Sequence, residues 1–325
     1  MIELTASKDD NGRRLDRILR KALPDLSLSL IHRLLRQKKI FVDNKPVILP
    51  NYRIEQGMVI KIIASVNHND KQVNRNFVNQ MKLEVNNNSV IDPSLHSSLL
   101  PIPILWQGSG IIVFNKPQGL STHGPNSLDS IVHNCLAEEG ALPHSLSFKP
   151  GPLHRLDKPT SGAIVFSQTL EGAKLFSALL REYKLEKTYM AIVEGSIEGE
   201  NIWRDSLEHD KNAHKSLITP PLPTLKEAVT TVKTLASNGE YSLIEVQIKT
   251  GRHHQIRAQA AAHGHPLAGD IKYGAKPLPG QTRGGGFFLH AWKIRFIESP
   301  DGFPQEITAP LPEAFQARIE ALFKR

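Results

Sequence analysis

Between Pro152 and Thr169 the chain reads PLHRLDKPTSGAIVFSQT, which sets His154, Arg155 and Asp157 within four positions of one another. A carboxylate two residues from a guanidinium, in an extended segment, can share its face and be held ionised, below the reference carboxylate pKa of about 3.9. An acid that stays charged is suited to attack on carbon or to steady a developing positive charge, not to donate a proton. The same pair would serve equally as an ion pair that pins a turn, and these residues alone leave both readings open. Lys158-Pro159-Thr160-Ser161-Gly162 has the composition of a rigid turn, and Ala163 to Phe166 reads as a buried strand. The acid is therefore placed on a loop braced by a strand.

The elements around it follow from periodicity. Ile111 to Phe114 is a short buried strand entering the turn Asn115-Lys116-Pro117-Gln118-Gly119. Thr169 can cap a helix whose inner face is Ala173, Phe176, Leu179 and Leu180. Tyr189 then falls near the start of a strand, Lys187 to Glu194, where the pattern alone makes it a sheet aromatic. Tyr241 to Lys249 alternates apolar and polar residues and delivers the chain through Thr250-Gly251-Arg252 to a helix, His254 to His263, that carries Arg257 and ends at Gly264. Phe288 to Phe296 is a further strand, and a final helix begins at about Pro312. Residues 199–223 are polar and proline-rich towards their end, and read as a surface excursion. Cys135 shares an apolar helix face with Leu128, Ile131, Val132 and Leu136 and reads as core. His253, His254, His263, His265 and His290 invite a zinc reading, but no pair has His-Glu-x-x-His spacing or an equivalent set of Cys or carboxylate ligands. No metal is expected.

With 325 residues, 40% of them hydrophobic, the chain exceeds one average domain, and two are expected. A single cysteine excludes an internal disulfide framework, and MIELTASKDD lacks the basic and apolar parts of a signal peptide, so a cytoplasmic protein is expected. No run of about 18 apolar residues is present to span a membrane. The formal net charge is +8, and Gly12 to Lys61 alone holds 12 Lys and Arg against 4 Asp and Glu, which accounts for the whole excess. Leu15, Ile18, Leu19, Ala22 and Leu23 have helical spacing, and a second helix near Ser29 to Gln37 leaves Arg33, Arg36, Lys38 and Lys39 outside. Strands are expected at Ile40 to Val42, Val47 to Leu49 and Met58 to Ile63. A compact basic module on a near-neutral body is the pattern of a nucleic-acid anchor, although the same charges could be a solvated face. The organisation expected is a basic module over 1–65, a flexible Asn-rich linker over 66–98, and a catalytic domain over 99–325. Long β runs with few helices, and no Gly-rich nucleotide loop, make the larger domain α+β with a mixed, mainly antiparallel sheet.

Four stretches carry a resemblance to a known family. HRLDKPTSG resembles the signature of the RluA-type pseudouridine synthases, and NKPQGLSTHG, KTYMAIVEG and TGRHHQIRAQAAAHGHPLAGDIKYG fall around it in the family's order. The N-terminal helix pair with its Phe41-Val42-Asp43-Asn44 phrase resembles the αL RNA-binding module of a small-subunit ribosomal protein. The resemblance implies conversion of uridine to pseudouridine in RNA with Asp157 as nucleophile, either adding to the anomeric carbon or steadying its charge while a ribose proton is lost. It also implies Tyr189 stacked on the target base and placed to handle a proton, Arg257 paired with the aspartate, and Arg155 and Arg257 holding the acid charged and contacting phosphate. His253 departs from the pattern, where the family usually has Thr, and this puts local hydrogen bonding in question. No cofactor is implied. The expected partner is RNA, large-subunit ribosomal RNA first and transfer RNA as the alternative, bound by a monomer. A silent RNA-binding or ribosome-assembly protein, or a hydrolase that releases uracil, are the competing classes.

Overall fold

The computed structural model describes residues 1–63, 101–138, 145–210, 215–219, 227–278 and 286–324. They fall into two compact units: Met1–Leu95 with His133–Pro150, and His96–Val132 with Gly151–Arg325. The linker expected over 66–98 lies outside the described residues.

In the first unit β1 (Ile2–Thr5) and β2 (Arg13–Arg14) lead into α1 (Leu15–Ala22) and α2 (Leu28–Arg36), followed by β3 (Ile40–Val42), β4 (Lys45–Pro46), β5 (Arg53–Ile54) and β6 (Val59–Ile62). The helices form where the apolar spacing places them. Ser27 starts the second by accepting a hydrogen bond from the Leu30 amide, as a cap residue should. Leu15, Ile18, Leu19, Ile31 and Leu35 are fully buried against Ile40, Ile60 and Ile62 of an antiparallel sheet ordered β1-β6-β3-β4. The strand expected at Val47 to Leu49 forms earlier, at Lys45–Pro46. Asp43 and Asn44 both adopt left-handed backbone and make a two-residue turn straight after β3, which leaves Ile48 and Leu49 exposed. Part of 133–150 belongs to this unit. Leu146 packs on its core, and fully buried Asp10 accepts hydrogen bonds from the Leu146 amide at 3.0 Å and from the Ser145 and Ser147 hydroxyls. Burial pushes the Asp10 carboxyl up, but the bonds from Ser147, Leu146 and Ser7 outweigh it and hold the group below its usual range.

The second unit holds β7 (Ile104–Gly108), β8 (Ile111–Lys116), the start of α3 (Leu128–Glu138), β9 (Gly151–Pro152), β10 (Ser161–Ser167), α4 (Leu170–Arg181), β11 (Leu185–Glu194), β12 (Glu200–Asp210), β13 (Lys215–Thr219), β14 (Glu227–Ser237), β15 (Tyr241–Ile248), α5 (Gln255–Ala262), β16 (Leu289–Phe296), β17 (Glu306–Thr308) and α6 (Glu313–Phe323). Its sheet runs β13-β12-β14-β15-β11-β16-β10-β8-β7, with β17 on β16 and β9 on β10. The β10/β16 pair is parallel and the other described pairs are antiparallel, the mixed sheet expected. The excursion expected over 199–223 is not a loose surface segment. Its described residues form β12 and β13 at the sheet edge, because Trp203 and Ser206 find buried places against β14.

Candidate active site

Asp157 sits in the loop between β9 and β10, and several unrelated segments hold that loop. The Thr160 amide closes a turn on the Asp157 carbonyl at 3.0 Å. Thr122 grips the preceding residue, donating to the Leu156 carbonyl at 2.8 Å and accepting from its amide at 3.1 Å. Lys116, fully buried at the end of β8, donates from Nζ to the carbonyls of Leu120, Pro117 and Lys158 at 2.7, 3.1 and 3.4 Å. Burial lowers the Lys116 pKa to about 8, with the Asp157 charge opposing the shift. His154 braces the strand side: its Nε2 accepts the Val165 amide at 3.0 Å, and burial, with Lys187 nearby, pushes its pKa down to about 3. Gly162 permits the parallel contact, since its φ is 108° and a Cβ there would fall on the Ala291 carbonyl oxygen.

The partner of the acid arrives from far along the chain. Arg257, in the first turn of α5, donates from Nη1 to Asp157 Oδ2 at 2.9 Å. Its Nε and Nη2 form a two-pronged pair with Asp270, at 2.7 and 2.8 Å, and its guanidinium lies between the rings of Tyr273 and Phe287, at 4.8 and 4.4 Å. Each of its three nitrogens thus faces a carboxylate, and the group is buried. Arg257 pairs with Asp157 as expected. Arg155 departs from expectation. Its side chain is exposed at the pocket rim and makes no ion pair with Asp157, because the turn after it carries the carboxylate inward towards α5.

His254 adds a second group on the acid, with Nε2 at 3.5 Å from Asp157 Oδ2 and Nδ1 at 3.0 Å from the Tyr273 hydroxyl. The single N–H of a neutral imidazole, when carried on Nε2, faces the carboxylate. Burial lowers the His254 pKa, so the ring is neutral at pH 7. Asp157 Oδ1 accepts no hydrogen bond from any described residue, in contrast to Oδ2. His253 stacks on His254 at 3.8 Å and bonds to Ser216 of β13, whose amide also meets the Tyr273 hydroxyl at 2.8 Å. Strand β13, which the sequence pattern left unassigned, is therefore part of the scaffold. The helix itself docks through polar groups: Gln255 and Gln259 bond to Thr230, and Gln259 also reaches Asp205.

Tyr189 lines the same pocket as Asp157 and Arg257, at a bulge where β11 slips one residue against β16. Burial, with the Asp157 charge adding to it, raises its pKa, so it stands as a neutral phenol. Asp270, Lys116, His254 and Tyr273 are given no part by the sequence pattern. Asp270 and Tyr273 lie in the quoted GDIKYG stretch, where a carboxylate thirteen residues past Arg257 was the available signal. In the first unit Arg33, Arg36 and Lys38 are exposed and Lys39 half-buried, away from the buried face of α2. Among the described residues no helix is long and apolar enough to cross a membrane, and His263 and His290 serve local bonds, to Asp205 and Ser161.

The family described as RNA pseudouridylate synthase matches residues 110–262, and the S4 domain family matches residues 13–60. A Synechocystis protein named as an uncharacterized RNA pseudouridine synthase is 30% identical, over 97% of this chain and 90% of its own length. The "Ribosomal large subunit pseudouridine synthase C" of Haemophilus influenzae is 29% identical over 98% of this chain and 94% of its own. Among solved structures, "Human RNA Pseudouridylate Synthase Domain Containing 4" shares the fold with a TM-score of 0.54 and 23% identity, over 67% of this chain and 91% of that one.

Proposed function

Because this chain belongs to the RNA pseudouridine synthase family, we propose that its isomerisation acts on uridines of large-subunit ribosomal RNA, with Asp157 as the attacking carboxylate. The observation that carries the reading is the Asp270–Arg257–Asp157 relay, which fixes one oxygen of Asp157 and leaves Oδ1 open to the pocket. Oδ1 adds to the anomeric carbon as the N1–C1′ bond breaks. The uracil turns, C5 bonds to C1′ as the carboxylate leaves, and a proton passes from C5 to N1. Atoms and electrons balance without any cofactor. Arg257 and neutral His254 keep the carboxylate oriented throughout. Tyr189 offers the base a ring face, worth roughly 1 to 3 kcal/mol by stacking, and its protonated hydroxyl can donate but does not rest as a base. Assignment to ribosomal RNA is supported by the S4 match and by the name of the Haemophilus influenzae relative.

Pseudouridine mapping across total RNA, with and without the gene, tests the substrate. Loss at a large-subunit ribosomal position is the expected result, and loss in transfer RNA alone would replace that target. Restoring the gene with Asp157→Asn should leave the site unmodified while RNA affinity stays within about threefold, since the amide keeps the shape and removes the charge. Tyr189→Phe, which keeps the ring, should bind normally and turn over more slowly. Near-wild-type modification by Asp157→Asn would end the nucleophile assignment.

A further inference from the structure

Lys187 stands two residues before Tyr189 on β11, so the two side chains share one face of the sheet. Across the ladder it is opposite Ile248, which lines the Asp157 pocket. The ammonium thus stands at the pocket's edge, and a methyl in place of a Gly251 hydrogen would lie 3.5 Å from Nζ. Among the described residues no carboxylate, hydroxyl or carbonyl meets it. Burial lowers its pKa, with no counter-charge opposing the shift. Arg252, next along from Gly251, also lines the pocket, and its Nε is buried without a hydrogen-bond partner.

Cations partly withdrawn from water are ordinarily paired. Here two half-buried ones, with no carboxylate on either among the described residues, flank a pocket whose Arg257 already faces Asp270 and Asp157 and whose Arg155 is exposed at the rim. An arriving anion would satisfy both. The anion that accompanies a nucleotide into this pocket is its own backbone phosphate, and drawing a base from its stack needs a firm hold on the strand beside it. We propose that Lys187 and Arg252 form a phosphodiester subsite that grips the RNA backbone next to the target nucleotide. This rests on the pocket being the uridine site. It adds two cations to the phosphate contacts expected of Arg155 and Arg257.

The test pairs charge removal on the protein with charge removal on the RNA. The full chain carrying Asp157→Asn binds an oligonucleotide spanning the mapped uridine, with a neutral methylphosphonate on its 5′ or 3′ side. One of the two substitutions should weaken binding about tenfold, the share of one charge-assisted hydrogen bond. With Lys187→Met and Arg252→Gln added, the same RNA should bind no worse than the unmodified RNA, and the salt slope should fall by roughly 0.7 for each phosphate that is no longer neutralised. Thermal unfolding of these variants should be unchanged or raised, since half-buried charges that meet no carboxylate among the described residues have been removed. Equal methylphosphonate penalties with and without Lys187 and Arg252 would overturn the subsite. That result would leave the Asp157 assignment standing, because the readout is binding and not turnover.

Discussion

Arg257 is held by four groups at once: two carboxylates and two aromatic rings. Asp270 takes two of its donors and so aims the third at Asp157. Asp270→Asn keeps the shape but turns a charged two-pronged pair into a neutral contact. It should lower the single-turnover rate at saturating RNA ten- to a hundredfold, leave RNA affinity nearly unchanged, and cost about 3 kcal/mol of stability, as expected when one member of a buried pair is removed. Rate and affinity measured on the same preparation separate these effects, and an unchanged rate would show that Asp270 only stabilises the fold. Arg257 was legible in the sequence from its motif. Asp270 was not: it is the one acid between Glu245 and Glu298, but no local pattern says that it will turn back to face an arginine.

At the level of elements, the loop bearing Asp157 is tied to β8 by Lys116, to the segment before α3 by Thr122, and to β10 by His154. Ser161, at the start of β10, donates to His290 Nδ1 at 2.8 Å, while His290 Nε2 donates to the Ala309 carbonyl. His290 is buried and His154 half-buried, and both are neutral at pH 7, with pKa values lowered from 6.5 to about 3 for His154 and about 4 for His290. The unfolded chain therefore binds more protons than the folded one between these values. The stability that depends on the neutral rings is fully present above pH 6.5 and is lost as pH falls towards 3 and 4. Denaturant midpoints across this range should fall with acid by up to about 1.4 kcal/mol per pH unit for each ring. His154→Gln keeps an acceptor for Val165 and should flatten the slope by one proton's share. An unaltered slope would mean that His154 is protonated in the folded state.

At the scale of the whole molecule, charge and chemistry are divided between two units. The excess of +8 is carried by Gly12 to Lys61, whereas Asp157, Tyr189 and Arg257 all lie in the second unit. Arg33, Arg36 and Lys38 are exposed and Lys39 is half-buried, so neutralising all four with Gln should spare the core beneath α2. The salt dependence of RNA binding should then flatten by roughly 0.7 to 0.9 log units for each phosphate that these side chains neutralise, with turnover at saturating RNA changing much less. Identical salt slopes before and after would show that this face is not the RNA anchor. Substitution is a sharper test than removal of the module, because Asp10 and the core around Leu146 bind residues 145–148 into the same unit.

Helix spacing in α1 and α2, the alternation of β15, the turn after Asp157 and the concentration of positive charge are all properties of neighbouring residues, and the sequence by itself determined them. The pairing of Arg257 with Asp157 was expected as well, from the resemblance of their motifs. The tertiary structure alone decided who meets whom. Arg257 reaches Asp157 across 100 residues, β13 supplies the Ser216 that steadies His253 and Tyr273, and Arg155, two residues from the acid, is turned away from it. The physical reason is the strand order. With β11 between β15 and β16 and β10 running parallel to β16, the segment before β10 and the helix after β15 line one pocket with Tyr189 of β11, and no local period records that convergence.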